Sequence, residues 1–150
     1  MEQRRRKQFE VVAGLIFDGQ KLLVCQRHHN AAFPLKWEFP GGKVEAGESA
    51  ISALARELKE ELDIGTGKLK LIHRHNHAYA DSPDVSLSFY WVIDYQGVIK
   101  NLVFERIVWS NLAELTKFDF LEGDLPLVHQ LVNGELSAQF ASVGKKLTDL

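Results

Sequence analysis

The chain reads as an α/β (α+β) protein in which a mixed β-sheet lies between helices. Three observations predict this. Apolar, β-branched runs stand on both sides of one central segment with a clean helical period. A second helical segment, with proline near its start and glycine at its end, closes the chain. Strands, helix, strands, helix in that order imply a sheet with helices packed on its faces.

The elements follow in order. "FEVVAGLIF" and "KLLVCQR" are strand-like runs joined by "DGQ", a hairpin signal. "HHNAAFPLKW" is a loop broken by Pro34, and "WEFPGGKV" is a short strand piece interrupted by a tight turn at Pro40-Gly41-Gly42. From Ser49, a suitable N-cap, to Leu62 the period becomes helical, and Ile51, Leu54, Ala55, Leu58 and Leu62 make an apolar stripe. After "DIGTG", further strands are expected in "KLKLIHRHNHAY", "VSLSFYWVIDY" and "RIVWS", with a turn near Gly97 between the last two. "NLAELTKF" is a short helix or turn. "DLPLVHQLVNGEL" is a helix with Pro126 early and Gly134 as its stop.

Composition narrows the class. At 150 residues, with 45% hydrophobic and 25% charged residues, the chain is a single globular domain, residues 1–150, in which residues 1–8 form a flexible basic arm. A formal net charge of −2 excludes a general nucleic-acid coat protein, so duplex nucleic acid is not an expected partner. A nucleotide ligand stays open, because a metal ion can supply the positive charge. No apolar run is long enough to span a bilayer, no secretory leader is evident, and the one cysteine, Cys25, is a buried strand thiol; a cytoplasmic protein without a membrane partner is expected.

The chemistry concentrates on the central helix. At 100° per residue from Ile51, the stripe lies between about −60° and +40°, and Glu60, Glu57 and Glu61 fall near 180°, 240° and 280°. They form an acidic face beside the buried one, with like charges at unfavourable i, i+3 and i, i+4 spacings. Arg56 reaches Glu60 but cannot serve all three. One reading is a solvated, charge-rich surface. The other is that a hard divalent cation, taking oxygen ligands together with substrate phosphates, is the missing partner. Gly41-Gly42 lets backbone approach a ligand closely, and Lys43 is placed to meet phosphate oxygens.

The spacing Gly42, five residues, Glu48, seven residues, Arg56-Glu57-Leu58-Lys59-Glu60-Glu61 resembles the signature of Nudix hydrolases, G-x5-E-x7-R-E-U-x-E-E-x-G-U, where U is a bulky aliphatic. Ile64 fills the last place, and Asp63 stands where the signature has Gly. Asp tolerates the left-handed region expected just past a helix end. The flanks "WEFPGGKVEAGES", "HAYADSPDVSLSFYWV" and "FLEGDLPLV" resemble the MutT-like branch, so the similarity runs from Val11 to Leu131.

The resemblance implies a Nudix-type α/β/α sandwich and magnesium-dependent hydrolysis of a nucleoside triphosphate, oxidised or damaged forms included, to the monophosphate and pyrophosphate, with manganese as an alternative metal. Glu57, Glu60, Glu61 and the Gly41 carbonyl would bind metal, and one of the glutamates, or a loop acid such as Glu105, would take the proton of the attacking water. Glu105 is equally read as a plain surface residue. Glu48 and Arg56 would pair structurally. Gly42, Lys43, Arg27, Glu38 and Asp124 would face substrate; for Arg27 a surface strand end, and for Asp124 a helix cap, are the competing readings. Other nucleoside diphosphate derivatives, a triphosphorylated RNA end reached by Arg4–Lys7, or a non-catalytic nucleotide sensor are the alternative functions, and homodimerisation is left open. His73, His75 and His77 share one strand face. They are read as a polar surface facing the cleft, with zinc the lesser reading. Phe89, Tyr90, Trp91 and Trp109 are read as core, with one or two stacking on a base.

Overall fold

The computed structural model of the protein describes residues 8–80 and 83–140. In chain order the strands are β1 (Gln8–Leu15), β2 (Phe17–Asp18), β3 (Lys21–Gln26), β4 (Trp37–Glu38), β5 (Gly41–Lys43), β6 (Gly65–Thr66), β7 (Leu69–His77), β8 (Asp84–Val92), β9 (Tyr95–Gln96) and β10 (Arg106–Asn111). Helix α1 spans Ala50–Leu62 and α2 spans Leu125–Val132. The arm expected at the N-terminus falls outside the described residues, except Gln8, which opens β1.

The first run of apolar residues does more than form a hairpin. Its β1 portion joins a mixed sheet of order β5-β1-β8-β7, in which β1 runs parallel to β8 and the other pairs are antiparallel. After Leu15 the chain passes into β2, which pairs with β3 in a second, antiparallel sheet with β10 and β4. The "DGQ" hairpin is therefore only the two-residue β2 turning into β3. A ribbon of β6 and β9 accounts for the turn at Gly97.

Alternation along the strands builds two cores, one on each face. Leu15, Leu22, Val24, Leu87, Phe89 and Trp91 point to the side covered by Leu127, Val128 and Leu131 of α2. Their neighbours Val12, Leu23, Cys25, Tyr90 and Val92 point to the side covered by Leu54, Leu58 and Leu62 of α1. A strand buried on both faces loses polar alternation, which is why these runs are so uniformly apolar. Each fully buried leucine contributes about 1.5–3 kcal/mol of transfer free energy.

Helix α1 begins as the sequence indicates: the Ser49 hydroxyl accepts the Ser52 N–H at 3.1 Å. Its apolar stripe is rotated from the expected one. Ile51 is 54% exposed and Ala55 only half-buried, whereas Ala53, Leu54, Leu58 and Leu62 are buried. Ala53 carries the buried arc to about 200° on the same wheel, so the arc takes in the positions of Glu57 and Glu61. Asp63 ends the helix in the left-handed region at φ 58°, its N–H donating to the Lys59 carbonyl at 3.1 Å. Its carboxylate meets Lys59 at 2.8 Å and Lys100 at 3.5 Å, which lowers its pKa. The next orphan carbonyls, Leu62 and Glu61, accept N–H groups from Lys100 and Leu102 at 2.9 and 3.0 Å. The helix end thus fixes the segment that leads to Phe104.

Glycine at this cap relieves left-handed strain but forfeits two exposed, solvent-screened ion pairs that contribute little. Asp63→Gly should therefore leave stability nearly unchanged, whereas the backbone strain of Asp63→Val should cost about 1 kcal/mol or more. Urea melts of the two variants check the order; equal losses would refute the strain argument.

Candidate functional site

A cleft of about 550 Å³ opens between the two sheets, lined by residues of β1, the loop after β3, β5, the C-terminal part of α1 and the turn before α2. Five of the residues expected to face substrate, Arg27, Glu38, Gly42, Lys43 and Asp124, line it, together with Gly41 and Glu61.

The acidic end is built by packing. Strand pairing sets Gly41 opposite Ala13 and Gly42 opposite Val12, directly under α1. The Gly41 N–H donates to Glu61 Oε1 at 2.9 Å. A Cβ on Gly42 would run into the Glu57 carboxylate, and one on Gly41, whose φ is 155°, would strike the Val12 carbonyl. Both positions exclude any side chain, so backbone and carboxylates share one small volume.

Burial sets the charge state there. It pushes the Glu61 carboxyl up to about 9, with Glu38 and Glu57 adding to the rise. Burial also raises Glu57, although Arg56 pulls it down. Glu60 stands apart: it is exposed, and among the described residues Arg56 reaches it at 3.4 Å. The three carboxylates are thus unequal, two turned inward and one toward solvent. Partly buried, mutually repelling carboxylates beside the glycine backbone fit a hard divalent cation, which supplies the charge their surroundings lack.

Arg56 organises the rim. Its guanidinium forks onto Glu48 at 2.8 and 2.9 Å, donates to the Lys43 carbonyl at 3.0 Å and meets Glu57 Oε1 at 3.0 Å. The fork holds Glu48 down to about 2 and raises Arg56. Loop, strand and helix are tied through one side chain. Lys43 sets its ammonium 4.2 Å over the Phe9 ring, at the cleft wall.

At the other end, the residues 119–121 run beside Trp37: Trp37 N–H donates to the Asp119 carbonyl at 2.9 Å and Leu121 N–H to the Trp37 carbonyl at 3.0 Å. This pairing brings Asp124 close to Glu38. Glu38 binds Arg27 at 2.8 and 3.1 Å, and Arg27 also donates to the Ala32 carbonyl at 2.6 Å, bracing the loop. Asp124 is buried; desolvation first, then Glu38, raises its pKa well above the carboxylate range, while its carboxyl accepts the Phe39 N–H. The helix-cap reading of Asp124 is corrected: it occupies the position before α2, but its side chain makes no cap hydrogen bond.

Glu105 lies at the rim and is held by His29 at 3.1 Å and His28 at 3.8 Å, which lower its pKa. Ligand-capable atoms of these three residues fall within 4.8 Å of one another. The Asn30 N–H donates to His28 Nδ1 at 3.2 Å, however, which puts the ring proton on Nε2, the nitrogen that faces Glu105, and removes the lone pair a metal would need there.

The four aromatics read as core do lie in it, and the expectation that one or two of them stack on a base is corrected. Phe89, Tyr90 and Trp91 are buried and Trp109 packs partly buried behind α1; none of the four lines the cleft. Its aromatic walls are Phe9, Phe33, Phe39, Tyr79 and Phe104. Phe33 carries a positive φ of 52° and packs 5.5 Å from the Tyr79 ring. Nothing in the period of the loop marks Phe33, because a positive φ at Phe runs against local preference. The cleft-facing reading of the histidines is corrected, since none of the three lines the cleft: His73 and His75 bond each other at 2.7 Å and lie against Phe89. The Arg4–Lys7 patch lies outside the described residues.

Among the described residues no helix is long and apolar enough to cross a membrane. A model of the NUDIX domain matches residues 7–131. The chain is 33% identical over 122 residues to the CTP pyrophosphohydrolase of Escherichia coli, covering 81% of this chain and 90% of that protein. It is 37% identical over 114 residues to a putative 8-oxo-dGTP diphosphatase 2 of Mycobacterium tuberculosis, covering 76% and 81%. The solution structure of the E. coli ORF135 protein superposes with a TM-score of 0.78 at 29% identity, over 91% of this chain and 97% of that one. Sequence, fold and the cradle of glycines and inward carboxylates agree, and the chain belongs to the Nudix family as a MutT-like pyrophosphohydrolase.

Proposed function

We propose that this enzyme hydrolyses a nucleoside 5′-triphosphate with an oxidised or otherwise altered base, releasing the monophosphate and pyrophosphate with magnesium as the metal. One observation carries the reading: a single cleft has inward carboxylates against bare glycine backbone at one end and, among aromatic rings at the other, a buried carboxyl whose pKa desolvation raises. The first suits a metal-borne polyphosphate and the second suits a base.

Glu57, Glu61 and the Gly41 carbonyl would hold the metal, with Glu60 completing the set from the solvent side. When bound, magnesium neutralises phosphate oxygens and acidifies water. Arg56 keeps Glu57 oriented, and Lys43 offers a charge to the phosphates at the cleft wall. A carboxylate of the acidic end, or Glu105 after release from His29, takes the proton of the attacking water. Asp124, protonated, presents a donor and an acceptor to one edge of the base, which an ionised aspartate would not. The relatives named for CTP and 8-oxo-dGTP are consistent with a triphosphate carrying either kind of ring. A nucleotide substrate and the free, buried Cys25 are in keeping with a cytoplasmic location.

A panel of normal and oxidised triphosphates, nucleotide sugars and dinucleotides, with products identified, tests the substrate class. Monophosphate and pyrophosphate from at least one triphosphate are expected; turnover confined to the diphosphate derivatives would overturn the reading.

Glu57→Gln and Glu61→Gln should lower kcat by roughly 10²–10⁴-fold with folding intact. Near-normal rates at saturating magnesium would remove both from the acidic end's work. Asp124→Asn keeps a donor and an acceptor and should retain activity within about tenfold, whereas Asp124→Leu should lose about 10–100-fold in kcat/KM, mostly through KM. Equal behaviour of the two variants would count against base recognition by Asp124.

Acid–base linkage gives a further expectation. Between the ordinary value of 4.5 and about 9, folded Glu61 retains a proton that the unfolded chain has released. Stability of the metal-free protein should therefore fall as pH rises through that window, and raised Glu38, Glu57 and Asp124 act in the same sense. Magnesium, which replaces the proton, should offset the loss most at the alkaline end. Melting temperatures across pH, with and without metal, measure this; a flat metal-free profile would contradict it.

A further inference from the structure

The strand β7 carries two rings that the cleft does not use. His75 stacks on Phe89 with centroids 5.9 Å apart and planes 18° apart, and its Nε2 lies 2.8 Å from the Gly123 carbonyl oxygen. His73 Nε2 lies 2.7 Å from His75 Nδ1. A carbonyl only accepts, so His75 Nε2 bears the hydrogen. In a neutral ring Nδ1 is then bare and must accept from His73 Nε2–H. One backbone oxygen thus fixes both tautomers. His73 Nδ1 is left bare in turn, and Gln130 of α2 stands beside that ring as a hydrogen-bonding neighbour. Gln130 Oε1 is buried with no hydrogen-bond partner among the described residues. An amide can serve a bare nitrogen through its NH2 end.

The carbonyl at the end of this chain is not an arbitrary one. Gly123 is gripped on both sides, since its N–H donates to the Tyr79 hydroxyl at 3.0 Å while its oxygen accepts from His75. A Cβ there would collide with that hydroxyl and with Leu87. The peptide whose oxygen His75 holds is the one that carries Asp124. Half-burying two imidazoles against a phenylalanine is costly unless their hydrogen bonds are all made. Here they add a side-chain anchor to a short 3-10 turn, Glu122–Asp124, whose own backbone bonds run from Asp124 N–H to the Leu121 carbonyl at 3.0 Å and from Leu125 N–H to the Glu122 carbonyl.

We propose that His75, backed by His73 and Gln130, is a positioning residue for base recognition: it locks the Gly123–Asp124 peptide so that the Asp124 carboxyl meets the base in one orientation. This rests on the reading of the cleft as a nucleotide site with Asp124 at its base end. A group misplaced by about 1 Å binds poorly, so the lock should act on affinity and selectivity more than on the chemical step.

The test uses the full chain. His75→Phe keeps the ring stack but cannot donate, and His75→Gln restores a donor. For the best triphosphate of the panel, His75→Phe should raise KM about tenfold with kcat within about threefold, and should narrow selectivity against a triphosphate of another base. His75→Gln should recover most of both. Unchanged KM and selectivity in a folded His75→Phe would overturn the proposal; should that variant not fold, His73→Phe, which frees the His75 tautomer, decides by the same measurements. A second arm needs no substrate. Imidazole nitrogen NMR of the free protein should show both rings protonated at Nε2, and the Asp124 amide resonance should move in His75→Phe. Rings protonated at Nδ1, or an unmoved Asp124 amide, would sink the proposal even where turnover is normal. Absence of any triphosphate turnover by the wild type would instead defeat the substrate reading and leave this arm standing.

Discussion

The constraint on which the rest depends is a carboxylate placed where apolar side chains belong. Glu61 sits near the middle of the arc that Ala53, Leu54, Leu58 and Leu62 bury, and Glu57 lies inside the same arc. Ionised and unpaired, such groups would cost several kcal/mol each. The molecule meets this in three ways: a backbone N–H from Gly41, one fork of Arg56 on Glu57, and a retained proton on Glu61 that a divalent cation can replace. Each requires the glycine pair to lie directly under the helix. That in turn requires β5 to pair with β1 in a single register, since a one-residue slip would put side chains against Val12 and the carboxylates.

From that register the cleft follows. β1 runs parallel to β8, which places the β7–β8 pair, and with it Tyr79 beyond β7, on the far side of the same sheet. The second sheet contributes Arg27 and Glu38 by pairing β4 with β3. The chain crosses from one sheet to the other at Ile16, which is fully buried and packs on the α1 side. The cleft is therefore the gap left where two sheets share one strand run. Its two ends differ in what they do with charge. The acidic end concentrates carboxylates of a kind that suit a cation, whereas at the Asp124 end desolvation favours the protonated form of one carboxyl.

Much of this was legible in the sequence. The central box named the chemistry because its spacing is set by three demands at once: helix period, loop closure onto Arg56 and two glycines under the carboxylates. The limits of α1, its Ser49 cap and the tolerance of Asp63 for a left-handed end also follow from local rules. The orientation of the helix did not. Ile51 looked like part of the stripe because periodicity ranks hydrophobicity, yet burial is decided by where the sheet lies, and the small Ala53 permits closer approach than Ile51 would. Rotated accordingly, the wheel would have marked Glu57 and Glu61 as inward and Glu60 as outward.

The cleft walls were less legible for a different reason. Phe33 and Tyr79 lie in segments without period, brought together by tertiary pairing across 46 positions of chain that no local pattern encodes. The three histidines show the opposite error. Their alternation was read correctly as a shared face, but a face says nothing of what covers it. For His73 and His75 the cover is Phe89 beneath and Gly123 above, so three of their ring nitrogens are spent on each other and on a carbonyl, whereas His77 faces Glu122 at 3.5 Å. An imidazole pair in that setting differs from a packed apolar pair in one respect: it fixes the direction of every hydrogen bond from α2 to the turn. Direction is what a carboxyl proposed to read a base needs, because a protonated acid distinguishes its donor oxygen from its acceptor only when its backbone is held still.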